Sequence, residues 1–104
     1  MTKKKLIVAP AAQQDLTDIF TYIAKENLDA ASSFLEEITT KIGWITTSNF
    51  SGVARDWIRP GLRALPFKKR CIYFRTDSET VYIIRVVHTR QDVAQVKYAD
   101  SSDI

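Results

Sequence analysis

The sequence contains few of the residues on which disulfide, zinc and phosphate-loop sites depend. Cys71 is its only cysteine, so no disulfide can form within the chain. His88 is its only histidine and has no close spacing to Cys71, which makes a zinc site unexpected. The 3 glycines are isolated and do not form a phosphate-binding loop. The sequence therefore predicts neither a bound metal nor a cofactor.

Long hydrophobic runs are also missing. No stretch approaches the roughly 18 consecutive apolar residues that a membrane-spanning helix needs, so no membrane is expected as a partner. The basic start of the chain is followed only by the short apolar run Leu6–Ala9, which is too short for a signal peptide. The lone Cys71, which cannot form a disulfide within the chain, favours a cytoplasmic location. The length predicts one domain over residues 1–104.

The net charge of +3 is distributed unevenly along the chain. Residues 1–50 carry a net charge of −1, and residues 51–104 carry +4. Between Arg55 and Arg75 there are seven basic residues, while Asp56 is the only acid. Such a cluster attracts an acidic partner, either nucleic acid or protein. A solvated sheet edge protected by lysine and arginine explains the same pattern, and both interpretations stay open at this point.

The first half of the chain predicts two amphipathic helices. Pro10 suits the first turn of a helix, and one apolar face follows at i, i+3, i+4 and i+7, in Leu16, Ile19, Phe20 and Ile23. This helix is expected to end near Glu26–Asn27, and Asp29 is predicted to cap the next one, which ends within 46–49. The second apolar stripe consists of Ala31, Phe34, Leu35, Ile38, Ile42 and Ile45. The short connection predicts an antiparallel helical hairpin.

Strands are predicted on both sides of this hairpin. The first covers residues 3–8, and three more form a meander at Leu62–Leu65, Arg70–Arg75 and Thr80–His88. Strict alternation in the last strand would place Val81, Ile83 and Val87 on one face and Tyr82, Ile84 and Val86 on the other. Residues 50–61 are predicted to form a loop that Trp57 and Ile58 anchor to the domain.

The predicted fold class is α+β. The helical hairpin should cover one face of a mainly antiparallel, four-stranded sheet, and the other face should be at least partly open and basic. Arg85 stands inside an apolar strand, where a buried guanidinium needs a carboxylate, and Asp92 is a possible partner. Arginine, lysine and histidine near the strand ends suit phosphodiester chemistry, and they suit binding to an acidic protein surface equally well.

A resemblance to a known family rests on an ordered set of features. These are the element order β-α-α-β-β-β, the Pro60–Arg63 corner, the Tyr73–Arg75 strand segment and the Ile84–Asp92 strand ending. Together they resemble the ParE branch of the ParE/RelE toxin superfamily, the toxins of type II toxin–antitoxin modules, once named plasmid stabilisation proteins. The resemblance implies a toxin that an antitoxin neutralises by wrapping the hairpin and the sheet. It covers residues from about 5 to 95 as the core of the domain and leaves 96–104 as a tail. It implies DNA gyrase as the target of the ParE branch.

Two alternatives remain within the superfamily. RelE relatives cleave mRNA in the ribosomal A site, and in that case the resemblance implies Arg70, His88 and Arg90 as the functional residues. The aromatic residue expected shortly after Arg90 is out of register, because Val96 stands there and Tyr98 lies two residues beyond, which disfavours the nuclease. The other alternative is a relic that binds an antitoxin without being toxic.

The resemblance also implies two contact surfaces. Arg63, Arg90 and Asp92 are the predicted contacts to the target. The predicted contacts to the antitoxin are Phe20, Phe34, Leu35, Ile38 and Arg75. An amphipathic partner helix could read the helical part of this surface through anchors at i, i+3, i+4 and i+7.

Overall fold

Two helices pack on a five-stranded sheet in the computed structural model, which describes residues 3–48 and 50–89. In chain order the elements are β1 (Lys5–Val8), α1 (Pro10–Ala24), α2 (Leu28–Thr47), β2 (Val53–Ala54), β3 (Arg63–Phe67), β4 (Arg70–Thr76) and β5 (Thr80–His88). The predicted α+β class and the helical hairpin are confirmed. The strand number differs from the prediction, because β2 forms a short edge strand within the predicted loop.

The helix boundaries follow from local capping. Pro10 opens α1 as predicted. The predicted cap of α2 is wrong: the helix begins at Leu28, and Asn27 is the N-cap, whose side-chain oxygen accepts a hydrogen bond from the Ala30 N–H at 3.0 Å. Asp29 lies inside the first turn, where its negative charge still interacts favourably with the helix dipole.

The sheet has the order β1-β5-β4-β3-β2. β1 joins β5 in parallel, and the remaining neighbours pair antiparallel, so the predicted meander is confirmed. The first meander strand does not stop before Pro66, because Pro66 pairs with Cys71 within β3. β2 pairs only with Arg63 and Ala64, which leaves Pro66 on the sheet edge, where its missing N–H does not interrupt a ladder.

Both faces of the sheet carry buried side chains. The face under the hairpin holds the larger cluster, in which Ile38, Ile42 and Ile45 of α2 pack with Phe74. The opposite face was expected to be at least partly open, but it carries a second buried cluster. Its members are Leu62, Ala64, Cys71, Tyr73, Ile84 and Val87. Burial raises the pKa of the Cys71 thiol, which is consistent with a structural role for this cysteine.

A β-bulge in β5 changes the predicted alternation. Tyr73 pairs with Arg85 and Phe74 pairs with Ile83, so Ile84 is an extra residue without an opposite partner on β4. Val86 consequently belongs to the hairpin-side cluster, whereas Val87 joins Ile84 on the other face. The assignment of Val86 and Val87 from strict alternation was therefore wrong.

Asp15 of α1 ties the helix to the bulged strand. Its Oδ2 accepts a hydrogen bond from Arg85 Nε at 2.7 Å and another from the Val86 N–H at 2.9 Å, while its Oδ1 accepts from Arg85 Nη2 at 2.8 Å. The pair is largely buried, with 13% of the Asp15 side chain and 19% of the Arg85 side chain exposed. β1 ends opposite Ile83, so this carboxylate occupies the edge of β5 just beyond β1.

Two glycines provide a matched test of backbone strain. Gly52 has a φ of +71°, and an added Cβ would lie 2.8 Å from Phe74 Cζ and 3.0 Å from the Ala64 carbonyl oxygen. Gly52→Ala should therefore lower the free energy of unfolding by about 2 kcal/mol. Gly43 lies within α2 and an added Cβ has open space around it, so Gly43→Ala should raise stability by about 0.5–1 kcal/mol. Urea unfolding of both variants measures the difference, and shifts of the same sign would contradict this account.

The Asp15 bridge predicts a second difference between neighbouring positions. Asp15→Ala removes the carboxylate that accepts the two bonds of Arg85 and should lower the free energy of unfolding by about 3 kcal/mol. Asp18 on the same helix accepts a bond from Gln14 in an exposed position, so Asp18→Ala should change stability by less than about 0.5 kcal/mol.

A double-mutant cycle on Asp15→Ala and Arg85→Ala isolates the coupling between the two side chains. The second substitution should cost much less than the first. Fully additive effects in urea unfolding would exclude the bridge as a major contribution to stability.

Candidate functional site

A groove of about 650 Å³ lies between α1 and the ends of β4 and β5. Its volume is within the range typical of ligand-binding clefts. The polar and charged residues of its lining are Asp15, Asp18, Tyr22, Lys69, Arg70, Arg85 and His88. Asp15 neutralises Arg85 within the wall of the groove. The two cations Lys69 and Arg70 outnumber the remaining carboxylate of Asp18, so the groove keeps a cationic character.

Strand pairing brings Arg70 and His88 together. The two residues are directly opposite each other on β4 and β5, and opposite residues in antiparallel strands place their side chains on the same face. The guanidinium of Arg70 lies 6.0 Å from the ring centre of Phe34 in α2, which identifies this face as the hairpin side. Two of the three residues predicted for a nuclease thus line one groove.

Tyr22 is a groove residue to which the sequence analysis gave no role. Its side chain is 70% exposed and lines the groove together with Arg70 and His88. A signal was present in the sequence, because Asp15, Asp18 and Tyr22 follow one another at i, i+3 and i+7 on one helical face.

Two residues predicted to contact the target, one of which is also the predicted partner of Arg85, cannot be compared with the structure. Arg90 and Asp92 lie outside the described residues. Arg85 was expected to be paired and largely buried, and the structure bears this out with Asp15 as a carboxylate partner, whereas the predicted partner Asp92 is not among the described residues. The role of Arg90 in a target contact therefore stays a prediction.

The two arginines near the Pro60 corner have distinct positions. Arg63 is half-buried in β3, opposite Phe74, and stays a predicted target contact. The side chain that ties the corner to the sheet belongs to Arg75, whose Nη1 donates a hydrogen bond to the Pro60 carbonyl oxygen at 2.6 Å. Arg75 thus has a structural bond in addition to its predicted antitoxin contact.

The predicted antitoxin contacts on the hairpin differ in accessibility. Leu35 is exposed, and Phe20 and Phe34 are half-buried, with the Phe34 ring 6.0 Å from that of Phe67. Ile38 is fully buried in the hairpin-side cluster, so its side chain offers no surface to a partner in this structure. Phe20, Phe34 and Leu35 stay predictions for this contact.

Within residues 3–48 and 50–89, no group of three or more histidine, cysteine, aspartate or glutamate side chains is placed to hold a metal ion. Over the same part of the chain, no helix combines the length and the apolar character needed to cross a membrane.

Residues 6–93 match the family described as "ParE toxin of type II toxin-antitoxin system, parDE". Toxin ParE1 of Mycobacterium tuberculosis, strains CDC 1551 / Oshkosh and ATCC 25618 / H37Rv, is 34% identical over 92 residues, which cover 86% of this chain and 93% of the relative.

A solved structure shares the fold. Superposition on a chain of "Chromosomal ParDE TA system from P. aeruginosa" gives a TM-score of 0.69 at 20% sequence identity, and covers 83% of this chain and 96% of that chain. The family match extends from within β1 to beyond the end of β5, and so covers all but the first residue of the described helices and strands. The chain belongs to the ParE toxin family of type II toxin–antitoxin systems.

Proposed function

We propose that this toxin acts by inhibiting DNA gyrase. The observation that carries the proposal is the match to the ParE family along residues 6–93, since gyrase is the target that the ParE resemblance implies. The basic second half of the chain is consistent with an acidic macromolecular partner. Arg63 remains the candidate target contact within the described residues, and Arg90 and Asp92 remain candidates outside them.

An antitoxin completes the proposed system. The family is defined as the toxin of a toxin–antitoxin pair, and the exposed part of the hairpin offers a surface for the partner. Leu35, Phe20 and Phe34 provide apolar area there, while the basic meander favours an acidic antitoxin. We place the complex in the cytoplasm, where a toxin of this kind would meet gyrase.

A second candidate function has its own supporting observation. Arg70 and His88 lie directly opposite each other in the groove, and Tyr22 supplies an aromatic side chain from α1. An arginine can stabilise charge on a phosphodiester, a histidine can transfer a proton, and a tyrosine can stack on a base. This grouping favours ribosome-dependent mRNA cleavage as the alternative to gyrase inhibition.

A supercoiling assay tests the leading proposal. Purified toxin is titrated into DNA gyrase with ATP and relaxed plasmid. Supercoiling should fall with toxin concentration while cleaved plasmid accumulates, and prior incubation with the cognate antitoxin should restore supercoiling. Unchanged supercoiling at large molar excess of folded toxin would exclude gyrase inhibition.

The alternative is tested in a purified translation system by mapping the ends of a ribosome-bound mRNA. If the groove cleaves RNA, Arg70→Ala should reduce the cleavage rate by about 10²-fold, because a positioned cation at the phosphodiester is lost. Lys68→Ala is the matched control, since Lys68 is exposed, lies outside the groove and pairs with Glu37. Absence of cleavage by the wild-type toxin, or equal loss in both variants, would contradict the nuclease.

A further inference from the structure

Trp57 lies on the surface of the loop that it was predicted to anchor to the domain. The indole is 70% exposed, and the neighbouring Ile58 provides the anchor by packing against the second buried cluster. The expectation of an anchoring role was thus correct for Ile58 and wrong for Trp57. Folding therefore buries little of this indole, and its apolar surface stays accessible to a partner.

The loop that carries Trp57 is held in one conformation by several bonds. The Arg55 N–H donates to the Leu62 carbonyl at 2.8 Å, which closes the base of the loop. The Gly61 N–H donates to Asp56 Oδ1 at 2.8 Å. Pro60 and Gly61 occupy the centre of a turn closed by the Leu62 N–H and the Arg59 carbonyl at 3.1 Å.

This turn has the geometry of type II. Gly61 has a φ of +80°, as the third residue of a type II turn requires, and proline suits the second position. Arg75 fixes the same turn from the sheet through its bond to Pro60. A loop ordered in this way loses little conformational entropy when a partner binds.

The charges around Trp57 select the kind of partner. Arg55 and Arg59 lie two residues before and after it, and Arg59 is exposed. The one carboxylate in this segment, Asp56, is engaged by the Gly61 N–H within the loop. Val53 on the adjacent edge strand adds apolar surface that is 47% exposed. Tryptophan and arginine are the residues enriched at binding hot spots between proteins.

We propose that this loop, residues 55–62, docks the toxin on its protein target, with Trp57 entering an apolar pocket that carries carboxylates at its rim. The assignment rests on the proposed gyrase inhibition, in which that pocket belongs to gyrase. A protein pocket fits better than a nucleic acid strand, because strand-binding proteins offer successive aromatic platforms. Trp57 is the only aromatic residue between positions 51 and 66.

The test compares Trp57→Ala with Leu28→Ala. Leu28 is 61% exposed at the start of α2, so both substitutions remove an exposed apolar side chain. Binding to purified gyrase is measured by surface plasmon resonance, and inhibition is measured in the supercoiling assay. Trp57→Ala should weaken both by at least about 30-fold, as expected for a hot-spot residue, while Leu28→Ala stays within about 2-fold of wild type. Circular dichroism and antitoxin binding should show both variants folded.

Each failure of this experiment has a separate meaning. If the wild-type toxin neither binds nor inhibits gyrase, the proposed function falls, and the assignment of the docking partner falls with it. If the wild type inhibits gyrase and Trp57→Ala inhibits equally well, only the docking role of the loop is overturned. A gel shift with plasmid DNA alone covers the other class of partner: binding that depends on Trp57 there would make nucleic acid the occupant and overturn the proposal.

Discussion

The carboxylate of Asp15 is the contact on which the shape of the candidate groove depends. It holds Arg85 through two bonds and the Val86 N–H through a third, at the edge of β5 that β1 leaves uncovered. An arginine buried without this partner would carry a large desolvation cost, and an uncapped Val86 N–H would add to it. Because Asp15 also belongs to α1, the same three bonds fix the position of the helix that forms one wall of the groove. The stability of the fold and the geometry of the groove therefore both depend on the contacts of the Asp15 carboxylate.

The bulge at Ile84 explains why that contact can form. An extra residue in β5 lets Val86 return to the hairpin side after Ile83, and His88, two residues later, shares that side. Pairing of His88 with Arg70 then places two chemically useful side chains over the same groove. A regular strand would have assigned Val86 to the opposite face. The irregularity lies next to the candidate site, where bulges commonly redirect side chains.

Local patterns predicted the helices and the meander because their causes are local. The apolar spacing of α1 and the proline at its start involve residues only a few positions apart. The turn before β5 is equally local: the N–H groups of Glu79 and Thr80 donate hydrogen bonds to Asp77, and these bonds lower the pKa of its carboxyl group. The Asp15–Arg85 bridge joins positions 70 residues apart, and no spacing rule connects them. The bulge was not predicted either, because Ile84 is as apolar as Ile83 before it and Val86 after it, and nothing in their sequence marks Ile84 as the extra residue. The family resemblance implied the fold, but it did not identify Asp15 as a partner of Arg85.

The basic cluster of the second half has several physical roles, although the sequence presented it as one feature. Lys68 pairs with Glu37 of α2, and Arg75 holds the Pro60 corner, so both have structural contacts. Lys69 and Arg70 instead line the groove. Arg59 is exposed beside Trp57 on a loop whose backbone is closed by its own hydrogen bonds. Net charge can bring an acidic partner towards such a surface, but it does not determine where that partner binds. The fold makes that distinction, because it uses some cations for internal contacts and presents others on rigid backbone, where binding energy is least reduced by ordering.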